Sequence, residues 1–177
     1  VLDPSYGQPL RAMDDAVPRA IAKAFKVPIL KTPLIWQGGN LLSNGRGLVL
    51  TTTQSINANV EVGSDADASV RFVMDHFGAR QLVVLEHLLG ETTGHVDMFA
   101  CFTSPDTVLV GTYPKSVAPS NAGVLDRNAA RLAKIRVGDE KLQVIRIPMP
   151  VGQDRVCRTF TNVVFANGTL LVPTYPG

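Results

Sequence analysis

The stretch Leu41-Leu42-Ser43-Asn44-Gly45-Arg46-Gly47-Leu48-Val49-Leu50-Thr51-Thr52 decides the fold. Two apolar runs flank Asn44-Gly45, and Asn-Gly in that setting is the strongest short-range hairpin signal, because both turn residues must accept positive φ. A helix is expected next, over 64–78. Ser64-Asp65-Ala66-Asp67 offers a capping side chain and first-turn acids. Val70, Val73, Met74 and Phe77 recur at helical spacing, and Gly78 closes the helix. Residues 81–85 then read as a buried strand. The pattern returns downstream. Strands at 98–103 and 107–112 enclose Ser104-Pro105-Asp106, and a helix follows from about Gly123, with Leu125, Ala129, Leu132 and Ala133 as its buried stripe. Gly138-Asp139 ends it before a strand at 141–147. A third hairpin is expected from 155–162 and 163–166 through Asn167-Gly168 into 169–172. The three turns, near residues 44, 105 and 167, lie about 60 residues apart. That period identifies an internal β-β-α-β repeat, with modules at about 28–85 and 95–147 and an incomplete one at 155–177.

Upstream of the first hairpin, Pro4, Gly7 and Pro9 punctuate residues 1–13, which read as loop. A helix is expected to start near Asp14-Asp15, with Pro18 in its first turn and Val17, Ile21, Ala24 and Phe25 keeping the helical period. Residues 28–36 alternate as a strand that ends at Trp36-Gln37-Gly38-Gly39-Asn40; Trp36 reads as core. The chain has 177 residues, of which 45% are hydrophobic and 18% charged, which fits one domain, residues 1–177, with a sizeable core. A net charge of +2, with Lys and Arg scattered, gives no nucleic-acid signal. No apolar span is long enough for a membrane helix and no signal-peptide pattern is visible, which leaves cytoplasmic and secreted placements both open. Cys101 and Cys157 form neither a disulfide framework nor a zinc spacing, and Cys101, inside an apolar strand, reads as a buried thiol.

The chemistry concentrates in Gly90-Glu91-Thr92-Thr93-Gly94-His95-Val96-Asp97-Met98-Phe99-Ala100-Cys101-Phe102. In extended chain, residues two apart share a face, so His95 and Asp97 project together while Val96, Met98 and Ala100 line the other side. Glu91 stands four residues earlier. Two carboxylates and an imidazole where a loop becomes a strand suit a planar cation: carboxylates match a guanidinium bidentately, and His moves protons near neutral pH. The same spacing also fits a plain hydrogen-bonded turn or part of a metal site, although no HExxH, CxxC or second nearby His supports a metal, and no cofactor motif is visible. His76, at a helix C-terminus, reads as structural, and His87 as a surface loop residue.

Three segments in order carry a family resemblance. Gly94-His95-Val96-Asp97-Met98-Phe99-Ala100, Gly38-Gly39-Asn40 through Gly47, and Thr159-Phe160-Thr161-Asn162 through Thr169 resemble motifs of the agmatine deiminase and Porphyromonas-type peptidylarginine deiminase family. The resemblance spans most of the chain. It implies an α/β pentein fold, a β/α propeller of five β-β-α-β modules of which about three are present here. It also implies an amidine hydrolase acting on the guanidinium of agmatine or peptidyl-arginine through a covalent thiouronium. On that reading His95 is the proton shuttle and Asp97 a guanidinium clamp, adjacent carboxylates favour the imidazolium, and Glu91, Asn162, Gly38 and Gly39 bound the substrate. Arg11, in the stretch 6–15, is a further candidate for holding a substrate carboxylate, and Cys157, next to Arg158, is the one internal candidate for the nucleophile.

The sequence departs from the family pattern in two ways. Many members carry an acid where Gln37 stands, so the negative field at the site should be weaker. Neither the Trp-x-Arg-Asp motif nor the GGN-I-H-C segment that carries the nucleophile is found in these residues. The expectation is a partial enzyme, with a non-catalytic module that binds a partner or assembles with its own copies as the alternative.

Overall fold

The computed structural model describes residues 1–7, 9–151 and 156–175, so the expected strand at 155–162 begins outside the described residues. The architecture is α/β. The chain opens with β1 (Leu2–Ser5), a 3-10 segment and α1 (Val17–Phe25), then β2 (Leu30–Ile35), which pairs in parallel with β1. The expected loop at 1–13 therefore contains a strand, and β2 lies in its own two-stranded sheet rather than in the sheet of the first hairpin. Helix α1 starts three residues later than Asp14, with Pro18 in its first turn. Its apolar stripe is on the surface: Val17, Ile21 and Phe25 are all exposed.

The first repeat runs β3 (Leu42–Ser43), β4 (Leu48–Thr52), α2 (Thr53–Glu61), α3 (Ala66–His76) and β5 (Gln81–Leu85). Strand β4 is central, antiparallel to β3 and parallel to β5. The turn between β3 and β4 is tied by Asn44, whose Oδ1 accepts from the N–H groups of Arg46 at 2.8 Å and Leu48 at 3.0 Å. All five residues of β4 are buried, with Leu48 and Leu50 in one apolar cluster and Val49 in another, as a strand covered on both faces requires. Helix α3 is capped by Asp65, which accepts from Asp67 N–H. Helix α2, unforeseen from the sequence, is capped by Thr52.

The second repeat runs β6 (Ala100–Ser104), β7 (Thr107–Thr112), α4 (Pro119–Leu132), a short hairpin of β8 (Arg136–Val137) and β9 (Glu140–Lys141), and β10 (Gln143–Pro148). Its sheet order, β10-β7-β6, reproduces that of β5-β4-β3, again with a parallel and an antiparallel pair about a central strand. Helix α4 begins before Gly123 because Pro119 suits a first turn. Its buried face carries Leu125, Ala129 and Leu132, but Ala133 is exposed. A last hairpin, β11 (Val164–Ala166) and β12 (Thr169–Leu171), turns on Asn167 and Gly168, both at positive φ (50° and 78°). The described residues just before β11 are not strand.

Matching side chains join successive units. Buried Asn59 of α2 exchanges two hydrogen bonds with the backbone of Ile35, at 2.9 and 2.8 Å. Buried Asn128 of α4 does the same with Glu86, at 3.0 and 2.8 Å. In each case an amide satisfies the N–H and C=O that a parallel strand leaves unpaired at its end. Asn44 donates to the Pro105 carbonyl at 2.6 Å, linking the two hairpin turns. The three hairpins thus sit in three separate sheets.

Candidate active site

Asn40 holds the site together. Its side chain is buried, and its Nδ2 donates to Thr52 Oγ1 (2.9 Å), Ser55 Oγ (2.7 Å) and the Gly94 carbonyl (3.3 Å). Its Oδ1 accepts from the N–H of Thr52 (3.1 Å) and of Val96 (3.2 Å). One amide therefore fixes the Gly38-Gly39 turn, the start of α2 and the loop carrying His95 to one another. Thr52 Oγ1 adds a second tie to Gly94, at 2.5 Å.

That loop is not extended strand. Val96–Met98 forms a 3-10 turn entered from His95, and strand β6 starts only at Ala100. His95 and Asp97 still converge, with Nδ1 of the ring 3.9 Å from Oδ1 of the carboxylate. Val96 and Ala100 point into the core, as expected, and Met98 packs against it. The convergence is made over Gly39. A Cβ there would lie 2.6 Å from Asp97 Oδ2 and still closer to the imidazole, so only glycine leaves the pair its place.

The expected residues divide among neighbouring spaces rather than sharing one. Asp97, Gly38, Gly39, Cys101 and Asn162 line a cavity of about 270 Å³. His95 lines a second, of about 180 Å³, with Gln37, Gln54, Thr92 and Thr93. Glu91 is turned inward: its carboxylate accepts from Thr93 Oγ1 and from the N–H groups of Thr93, Gly94 and His95. It shapes the loop rather than facing the cavity. Arg11 lies apart, 2.5 Å from Asp14 and stacked over Tyr6, on a third and larger apolar cavity of about 520 Å³. Thr161 fastens the segment before Asn162 by donating to the Asp97 carbonyl at 2.8 Å. Trp36 is core, as expected. His87 is not free on the surface: its Nδ1 meets Thr53 Oγ1 at 2.9 Å.

Burial sets the electrostatics. The Asp97 carboxyl is pushed up to about 6, first by desolvation and then by the Glu91 charge. Its Oδ1 is buried and has no hydrogen-bond partner among the described residues. His95 is pushed down by burial, which outweighs the opposing pull of Glu91. The expected imidazolium is thus disfavoured, because burial of the ring outweighs the charge of Glu91, whose oxygens are committed to the loop. Both thiols are pushed up by burial, Cys157 also by the Glu91 charge. The Arg158 guanidinium lies over the Tyr175 ring.

A stability prediction follows. The Asp97 proton is held more tightly in the folded chain than the ordinary 3.8 of an unfolded one. Its contribution is therefore full below pH 4 and lost as pH rises through about 6, a difference of roughly 2–3 kcal/mol. His95 acts oppositely, losing stability as pH falls through its ordinary value. Asp97→Asn should match the parent near pH 4 and exceed it in urea midpoint at pH 7.5. A gain equal at both pH values would mean that Asp97 titrates normally.

Repeated sheet–helix units meeting at a half-buried acid–imidazole pair define an α/β protein with a small cleft beside that pair. The chain belongs to the Porphyromonas-type peptidyl-arginine deiminase family, whose sequence model matches residues 5–177. It is 27% identical to an agmatine deiminase of Stutzerimonas stutzeri over 92% of this chain and 51% of the relative. Among solved structures, an Enterococcus faecalis agmatine deiminase matches with a TM-score of 0.83 at 21% identity, covering 98% of this chain and 57% of that one. A C. jejuni agmatine deiminase determined with substrate bound matches with a TM-score of 0.79 at 22% identity, covering 99% and 54%. The chain spans about half the length of the curated relatives it matches.

Proposed function

We propose that this chain is the cation-holding, proton-moving part of an amidine hydrolase that acts on the guanidinium of agmatine or peptidyl-arginine. In this reading it supplies about three of the five modules of a pentein ring. The observation that carries the proposal is Asp97: a half-buried carboxylate whose Oδ1 is buried without a hydrogen-bond partner among the described residues, 3.9 Å from an imidazole and facing a small cavity. A planar cation would give that oxygen its missing donors and pull the carboxyl back down to its charged form. Asn162, Gly38 and Gly39 bound the cation, and Glu91 holds the loop. His95, neutral at rest, takes a proton from the attacking group or water and returns it to the leaving ammonia. The reaction consumes water and converts the guanidinium to a ureido group with release of ammonium.

This reading draws the thiolate nucleophile from elsewhere, since burial disfavours ionisation of both Cys101 and Cys157. The exposed stripe on α1 and the exposed hairpin β11–β12 are surfaces that neighbouring modules would cover. The same surfaces favour a second reading, self-assembly without catalysis, which predicts a stable oligomer of residues 1–177 in sedimentation. The test of the first reading is ammonia release by the purified chain with agmatine, free arginine and an arginine-ended peptide. The expected result is no turnover by the chain and turnover by the full-length protein. Turnover by the chain that Cys157→Ser abolishes would move the nucleophile into these residues.

A further inference from the structure

We infer that Gln37 is a positioning residue that holds His95 as its Nε2-protonated tautomer and leaves Nδ1, the nitrogen facing Asp97, to exchange protons. The partners of the Gln37 amide fix its orientation. Its Nε2 donates to the Tyr6 carbonyl at 3.0 Å. Flipping the amide would set two oxygens against each other at that distance, so the carbonyl end must point the other way. That end, Oε1, lies 2.5 Å from His95 Nε2. A carbonyl oxygen only accepts, so Nε2 of the imidazole carries the hydrogen. A neutral ring has one N–H, and Nδ1 is therefore bare.

Nδ1 is the nitrogen that matters for chemistry on the Asp97 side. It lies 3.9 Å from Asp97 Oδ1 and is packed against Gly39. The only other charged group near the ring on the same loop, Glu91, is engaged with the backbone of residues 93–95. An acid at position 37 would act as a charge, but the amide here acts through geometry. It selects a tautomer, in the way that an oriented partner selects which histidine nitrogen is basic. Tyr6 lends only its backbone carbonyl, so the relay Tyr6–Gln37–His95 depends on the turn after β1, not on the tyrosine ring.

The tautomer can be read without catalysis, so this test is independent of the deiminase reading. In long-range 15N spectra of the chain near pH 8, with His76 and His87 assigned by H76Q and H87Q, His95 should show a protonated Nε2 and a bare Nδ1. Gln37→Leu should lose that preference and give a mixture, whereas Gln37→Glu, which still accepts, should keep it. A parent chain with Nδ1–H and bare Nε2 overturns the inference even if no variant folds, and so does Gln37→Leu with an unchanged tautomer. In the full-length protein, Gln37→Leu should lower kcat about 10²-fold with little change in KM, the lower end of a general acid–base contribution. If His95→Ala abolishes turnover and Gln37→Leu leaves it intact, this inference fails while the proposed function stands.

Discussion

Replacing Asn40 by Ala should cost the fold roughly 3–5 kcal/mol, a large share of the stability of an ordinary domain. The substitution leaves the buried N–H groups of Thr52 and Val96 without an acceptor. Each unsatisfied donor costs about 1–3 kcal/mol. It also strips donors from Ser55, Thr52 and the Gly94 carbonyl, so three segments lose their common anchor. Urea unfolding monitored by Trp36 fluorescence would measure the change. A loss below about 1 kcal/mol would mean that water or relaxation replaces these bonds, and that Asn40 is not the tie described.

The second large effect is on chemistry. In the complete enzyme proposed above, His95→Ala should lower kcat by about 10²- to 10⁴-fold, the usual share of a positioned proton-transfer group. The fold should survive, because among the described residues the His95 side chain makes a single hydrogen bond, to Gln37, at the edge of a cavity. Comparing kcat and KM separates the roles: a proton shuttle loses kcat, whereas a residue that only binds the cation raises KM. A variant that unfolds would show that the ring is structural.

The hairpins were legible because their signals are local. Asn44-Gly45 and Asn167-Gly168 declare their turns in two residues, and both fall where the chain turns. Strand β1 was not legible. Pro4 and Gly7 punctuate it like a loop, and its partner is Leu30–Ile35, across the whole of α1. Helix α2 escaped because Thr53–Glu61 is polar with little apolar period, so that only its Thr52 cap announced it. The sequence marks His95 and Asp97 as a converging pair, but for a geometry the chain does not use: a 3-10 turn, not an extended strand, brings them together. Nothing local marks Asn40, which stands beside two glycines. Its five side-chain bonds reach residues 52, 55, 94 and 96, contacts that no local pattern encodes. The resting charge of the pair is hidden from the sequence for a related reason. Neighbouring carboxylates are visible in a sequence, whereas burial, which here dominates both groups, is not.

The most direct test of the account is whether Asp97 receives a guanidinium. Agmatine would be titrated into 13C-labelled chain at pH 5 and pH 7.5 while the Asp97 carboxyl resonance is followed. Because the free carboxyl titrates at about 6, a bound cation must displace its proton at pH 5 but not at pH 7.5. The account predicts shifts at Asp97, Gly39 and Asn162, tighter binding at the higher pH, proton release at the lower, and loss of all three in Asp97→Asn. Shifts confined to other residues, or binding that is equal at both pH values and unchanged in Asp97→Asn, would contradict it.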